Sequence, residues 1–367
     1  MASYWFQRAW IDNRWQQDVR LTVADGRIAT LETGAAPEAA DERHAAALPG
    51  LCNVHSHGFQ RGMAGLSERR SRPDDNFWSW REIMYRFLDR LTPGDVAAIT
   101  AQAYAEMLET GFTRVGEFHY LHHDPAGVTY ADPAEMAGAI VAASDASGIG
   151  LTLLPVFYAH GNFGGVAPST GQRRFLSDID GFARLLDGAR AKLAGDATIG
   201  IAPHSLRAVA PDELAALLEL SPAGPVHIHA AEQVKEVEDC LAWSGARPVE
   251  WLLANAPVDA RWCLIHSTHV EPAEYRGMAA RGAVAGLCPV TEANLGDGIF
   301  PAADYLAAGG HFGIGTDSNI LIDAAGELRA LEYSQRLAHR ARALLASEEA
   351  PFVGANLYAR ALAGGAR

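Results

Sequence analysis

A chain of 367 residues that is 49% hydrophobic has apolar material for one large α/β domain and a smaller appendage. Its formal net charge of −14 argues against nucleic acid or an anionic membrane as a partner, since both need clustered cations. A small anionic substrate is not excluded, because it needs only one or two well-placed arginines.

The four cysteines, Cys52, Cys240, Cys263 and Cys288, show no CxxC spacing, so a reduced, cytoplasmic protein is expected rather than a disulfide framework. The N-terminus "MASYWFQRAW" lacks the basic and apolar regions of a secretory signal. No uncharged apolar run is long enough to span a membrane.

In chain order, residues 4 to about 31 alternate apolar and polar side chains around Asp-Asn and Asp-Gly turns, which predicts a small antiparallel sheet. The next stretch, "ETGAAPEAADERHAAA", is Ala-rich and charged and reads as a connection. Beyond it, eight strand-like runs alternate with amphipathic helices. The runs are "LPGLCNVHSHG", "FTRVGEFHY", "GIGLTLLPVFYAH", "TIGIAPHSL", "PVHIHAAE", "WCLIHSTHV", "GAVAGLCPVTE" and "HFGIGTDSN". One of the helices, "TPGDVAAITAQAYAEMLETG", carries its own punctuation: a Thr N-cap, Pro at the first position and a Gly stop.

Continuous apolar strands alternating with helices indicate a parallel sheet, either a (β/α)8 barrel or a doubly wound open sheet. Polar residues separate the two. His55 and His57, Glu117, His119 and Tyr120, His160, His204, His229, His266 and Asp317 all fall at or near strand ends. A barrel gathers such groups on one rim, whereas an open sheet spreads them along a line. A TIM barrel is the expected fold.

Two residues apart on a strand, His55 and His57 point the same way. An isolated HxH pair is more often an ordinary hydrogen-bonded feature than a metal site. With His229 and Asp317 on the same rim it becomes a candidate zinc site, because imidazole suits Zn²⁺ and a catalytic zinc takes three or four protein ligands. His227 shares the face of His229 and is read as one layer below. No lysine stands at the end of strand four, and Lys192 and Lys235 are the only lysines in the chain.

The HxH, His229, "LIHSTH" and "GTDSN" together resemble the amidohydrolase superfamily. More narrowly, "HSHGFQRGMAG", "DNFWSWREIMY", "GEFHYLHH", "APHSLRAV" and "HIHAAEQ" resemble the formimidoylglutamate deiminase family of histidine degradation. The resemblance implies a metal-dependent (β/α)8 barrel at residues 48–367 and, at residues 1–47, part of a small β-sandwich built from both chain ends. The remaining sandwich strands would lie beyond residue 367.

It further implies one zinc per subunit, since relatives with two metals commonly use a carboxylated lysine where this chain has His204. His55, His57, His229 and Asp317 become the ligands. His266 and Asp317 take a proton from the attacking water, and Glu232 protonates the departing nitrogen. The implied substrate is the dicarboxylate N-formimidoyl-L-glutamate. Arg207, His204, Arg81 and Tyr120 are candidates for its carboxylates, which arginine's planar fork matches, and Gln60 for its formimidoyl group. A homodimer is the family expectation. Two alternatives remain: a superfamily deaminase acting on a heterocyclic amine (purine, pyrimidine or triazine), and a non-catalytic barrel.

Overall fold

The computed structural model describes residues 2–70 and 73–367, and the chain divides into two units, Met1–Gly50 and Leu51–Arg367. The first unit is one sheet in the order β3–β2–β1–β4. Its strands are β1 (Ala2–Ile11), β2 (Arg14–Ala24), β3 (Arg27–Glu32) and β4 (Glu42–Ala47). Its two hairpins turn on Asp12-Asn13 (φ 49° and 61°) and Asp25-Gly26 (φ 52° and 73°). Positive φ at both central positions gives the primed turn whose twist suits the flanking strands.

Strand β4 corrects the sequence reading, which has a connection there. It pairs parallel with β1, from Tyr4 opposite Glu42 to Ala9 opposite Ala47. Its Ala-rich, charged sequence has little strand propensity, so the pairing is imposed by the edge of β1. Asp41, just before the strand, fixes the crossover by accepting from Ser3 Oγ (2.5 Å), the Glu38 amide (2.7 Å) and Arg20 Nε (3.1 Å).

The second unit is the barrel. Its strands are β5 (Leu51–Ser56), β6 (Phe112–His119), β7 (Gly150–Phe157), β8 (Thr198–Ile199), β9 (Ala202–Pro203), β10 (Val226–Ala230), β11 (Trp262–His266), β12 (Val284–Leu287) and β13 (His311–Ile314). All pair in parallel, and the fourth barrel position is split between β8 and β9, both of which pair with β7. Bridges Ile201–Val226 and Ser205–His229 close the ring.

The helices follow their local signals. Pro93–Thr110 starts at a Thr92–Asp95 capping box and stops at Gly111, whose φ of 105° a residue with a Cβ rarely adopts. The helix Ala324–His339 ends at a left-handed Arg340, and a further helix, Val353–Gly365, follows it.

Two features set the rim. Phe118 fills the barrel beneath it, its ring 4.5 Å from that of His229 and 5.0 Å from that of His55. Truncating so buried an aromatic costs about 3–5 kcal/mol. At Gly315, just past β13, an added Cβ would lie 2.7 Å from His55 O and 2.8 Å from His55 Cβ, so only glycine lets the eighth position approach the first this closely.

Candidate active site

The ends of β5 and β13 lock together through two backbone bonds, Asp317 N to His55 O (3.0 Å) and His57 N to Asp317 O (3.0 Å). This brings the carboxylate of Asp317 to both histidines: Oδ1 lies 3.4 Å from His55 Nε2 and 3.3 Å from His57 Nε2. From β10, His229 Nε2 lies 3.1 Å from His55 Nε2. All four side chains are buried.

These residues fit a metal ion. His57 Nδ1 bonds to Phe118 O (2.8 Å) and His229 Nδ1 to His204 O (3.0 Å), so each ring donates there, leaving the His57 Nε2 lone pair toward Asp317 and that of His229 toward His55 Nε2. Lone pairs and a carboxylate oxygen converging without a proton between them need a cation. Ligands about 2.0–2.1 Å from a tetrahedral ion lie roughly 3.3 Å from each other, the spacing of His55–Asp317, His57–Asp317 and His55–His229 here; His55 joins the trio His55, His57 and Asp317 to the trio His55, His229 and His266. Burial also holds the rings neutral: it pushes His55 down to about 3, against Asp317 and aided by His57, and it lowers His57 and His229 too. Neutral imidazole is the metal-binding form.

Around this cluster stand His266 and Glu232. His266 Nε2 lies 3.8 Å from Asp317 Oδ2 and 3.7 Å from Glu232 Oε1. Burial pushes the Glu232 carboxyl up to about 7, against His266 and Arg207 and reinforced by Asp317. His266 is held above its ordinary range: burial opposes this, but Glu232, Glu292 and Asp317 outweigh it. The backbone here is strained, with positive φ at Ala231 (52°), His266 (64°) and Asp317 (45°). Such turns persist only where the surroundings over-determine them. At Ala231 the buried Glu236 does so, accepting from the amides of Ala231 (3.3 Å) and Glu232 (3.0 Å).

The opposite wall of the pocket comes from helices and loops. Helix Phe77–Leu88, capped by Asn76, supplies Phe77, Trp80, Arg81, Met84 and Tyr85. Its Trp78 stacks under two cations, Arg81 at 4.6 Å and Arg207 at 6.0 Å from the ring centroid. Arg207 is buried, its Nε has no partner, and the Glu232 carboxylate beside it is 3.9 Å from Nη2. A buried guanidinium so loosely paired has donors to spare for an anion. Gln60 donates to Tyr120 Oη (2.7 Å) and leaves its own buried Oε1 open.

Arg174 braces this wall. Fully buried, it donates to Leu91 O (2.9 Å) and Leu88 O at the end of the helix and to His123 O (2.8 Å) beyond β6.

The structure thus brings His55, His57, His229, Asp317, His266 and Glu232 together, with Gln60, Tyr120, Arg81, His204 and Arg207 lining the same pocket. His227 lies below, among Cys52, Cys263 and Val54. Several other strand-end groups serve the scaffold instead. Glu117 accepts from the Gly58 amide (2.6 Å) and Tyr104 Oη (3.2 Å), and His160 pairs with Glu213 (3.0 Å). His122 bonds to Val156 O (2.8 Å). Sequence reasoning assigned no site role to Trp78, Tyr85, Phe175 and Arg174, which lie on helices and loops, nor to Tyr158 and Glu292, which follow strands β7 and β12.

A barrel with histidines and an aspartate at its rim is the amidohydrolase architecture, and residues 46–353 match the amidohydrolase family. Residues 5–45 match the family described as "Formimidoylglutamate deiminase HutF, N-terminal domain". The formimidoylglutamate deiminase of Pseudomonas aeruginosa is 51% identical over 370 residues, covering 100% of this chain and 82% of the relative. The 8-oxoguanine deaminase of the same organism is 30% identical over 88% of this chain and 72% of its own. Among solved structures, an amidohydrolase from Brucella melitensis superposes with a TM-score of 0.97 at 56% identity, covering 100% of this chain and 82% of that one. An adenosine deaminase from Xanthomonas campestris with bound zinc shares the fold (TM-score 0.76, 22% identity, 100% and 81% covered). The chain belongs to the amidohydrolase family, and within it to the formimidoylglutamate deiminases. Among the described residues, no helix is long and apolar enough to cross a membrane.

Proposed function

We propose that the chain hydrolyses N-formimidoyl-L-glutamate to N-formyl-L-glutamate and ammonia in histidine degradation, with one zinc ion per subunit held by His55, His57, His229 and Asp317. The observation that carries the substrate is Arg207: a buried guanidinium whose Nε has no partner and whose ion pair to Glu232 is long at 3.9 Å, sharing Trp78 with Arg81. Such a site takes an anionic, elongated molecule with its reactive end toward the histidines.

When bound, the metal supplies a Lewis acid and a water acidic enough to be nucleophilic near neutral pH. The chain's residues do the rest. Arg207 and Arg81, with His204 and Tyr120, bind the carboxylates and fix the substrate's register. Gln60 Oε1 is an open acceptor for an amidine N–H. His266 Nε2 and Asp317 take up the proton that the water sheds, and the carboxylates of Glu232, Glu292 and Asp317 around the ring favour its charged form once the proton has arrived. Glu232, at about 7, is proton-loaded near neutrality and passes its proton to the nitrogen that leaves as ammonia. The aromatic wall excludes water from the amidine.

The test is ammonia release from N-formimidoyl-L-glutamate beside a panel of heterocyclic amines, with metal analysis of the same sample. Turnover confined to the linear amidine, with one zinc per chain, supports the reading. Turnover of a purine, pyrimidine or triazine instead replaces it with the deaminase alternative. We further infer a cytoplasmic homodimer with no nucleic-acid or membrane partner; sedimentation at micromolar concentration checks the dimer.

A further inference from the structure

The geometry points to Glu292 as the positioning residue for His266, the group that holds its Nδ1 proton and leaves Nε2 as the ring's one working atom. Glu292 lies in "CPVTEANLGDG", at the end of the seventh barrel position, and it is buried. A single carboxylate oxygen, Oε1, accepts from His266 Nδ1 at 3.2 Å and from the Cys288 amide at 2.9 Å.

The second bond ties Cys288, the residue before helix Pro289–Leu295, to that helix's fourth residue. The first is not required by any helix. It reaches sideways from the seventh position to the rim residue of the sixth, and it meets a histidine whose own backbone is left-handed at φ 64°. A ring on such a turn is not oriented by its strand; it needs a second anchor.

With Nδ1 committed, the ring plane is set and Nε2 faces the gap between Glu232 Oε1 (3.7 Å) and Asp317 Oδ2 (3.8 Å). Without the carboxylate, the ring is free to rotate about χ2 or to place its proton on the other nitrogen, and either change removes the proton acceptor from the reaction centre. Burial makes the arrangement exacting, because Glu292 has no Lys or Arg partner among the ion pairs of the described residues; His266 is its counter-group.

His266, Cys288 and Glu292 also form a trio whose ligand atoms lie within 4.8 Å of one another. A second metal there would take up the Nδ1 lone pair, the reverse of the arrangement inferred here, so metal stoichiometry separates the two.

The inference rests on His266 acting in the deiminase reaction as proposed above. The experiment compares zinc-loaded wild type, Glu292→Gln, His266→Asn and the double variant, measuring kcat, KM and metal per chain. The expected result for Glu292→Gln is a kcat lower by about 10–100-fold, with KM within about threefold and metal unchanged. In the His266→Asn background the same substitution adds no further loss, because its effect runs through the ring. An unchanged kcat, an equal loss in both backgrounds, or a loss of metal overturns the inference. Full activity in His266→Asn overturns the reaction reading itself. Should Glu292→Gln fail to fold, ¹⁵N-histidine spectra of the wild-type enzyme decide: a protonated, slowly exchanging His266 Nδ1 is expected, and an unprotonated Nδ1 refutes the assignment.

Discussion

The two walls of the pocket are built in different ways. On one side, His55, His229, His266 and Asp317 stand at or just past the ends of barrel strands, tied to each other by backbone bonds across neighbouring positions. On the other, Arg81, Tyr85, Tyr158, Phe175 and Arg207 come from one helix and the loops after β7 and β9, braced by single side chains such as Arg174 and Gln172. The first wall is fixed by the fold and suits chemistry that tolerates little displacement. The second is held by a few replaceable contacts and suits the shape and charge of one substrate.

If that division is right, damage to the first wall should abolish turnover while damage to the second should weaken binding. Removing the metal with a chelator should eliminate detectable ammonia release, and adding zinc back should restore it; activity surviving full depletion contradicts the first wall's role. Glu232→Gln should keep its zinc and lose about 10²–10⁴-fold in kcat. A zinc-loaded, fully active variant rules out the proton delivery assigned to it.

On the second wall, Arg207→Ala should raise KM about 10–100-fold, the loss of a charge-assisted bond or two, with metal content unchanged. An unchanged KM removes the carboxylate clamp. The pH profile joins the walls more gently. A carboxyl raised to about 7 keeps its proton below that pH and loses it above, so kcat should fall roughly tenfold per unit once pH passes about 7. A flat profile to pH 9 excludes Glu232 as the donor. Smallest of all, Thr92→Ala removes the cap of helix Pro93–Thr110 and should lower stability by about 1 kcal/mol in a denaturant titration, leaving kcat alone.

The same division explains what could be read from the sequence. Strand-end residues were legible because period-2 alternation and chain order place them: His55 and His57 share a face, and each later apolar run ends in another ionisable group. Wall residues carry no such period. Trp78 and Tyr85 read as an ordinary amphipathic helix, and Arg81 was singled out only through the family resemblance. Arg174 carries no sequence signal, and Glu292, although it ends the run "GAVAGLCPVTE", gives no sign of its partner, because Leu88 O and His266 Nδ1 are distant in sequence. Strand β4 was missed for a related reason: its pairing is dictated by a neighbour rather than by its own side chains. Glu117 and His160 also stand at strand ends but hold the scaffold, since position at a strand end does not fix which way a side chain turns.

The measurement that tests this division most directly is kcat/KM for N-formimidoyl-L-glutamate and for N-formimidoylglycine, which lacks the side-chain carboxylate, in wild type and in Arg207→Ala. Wild type should prefer the dicarboxylate by about 100-fold, mostly through KM, and the variant should lose most of that preference while still hydrolysing both. Equal rates on the two substrates in wild type, or a preference untouched by Arg207→Ala, would contradict the account.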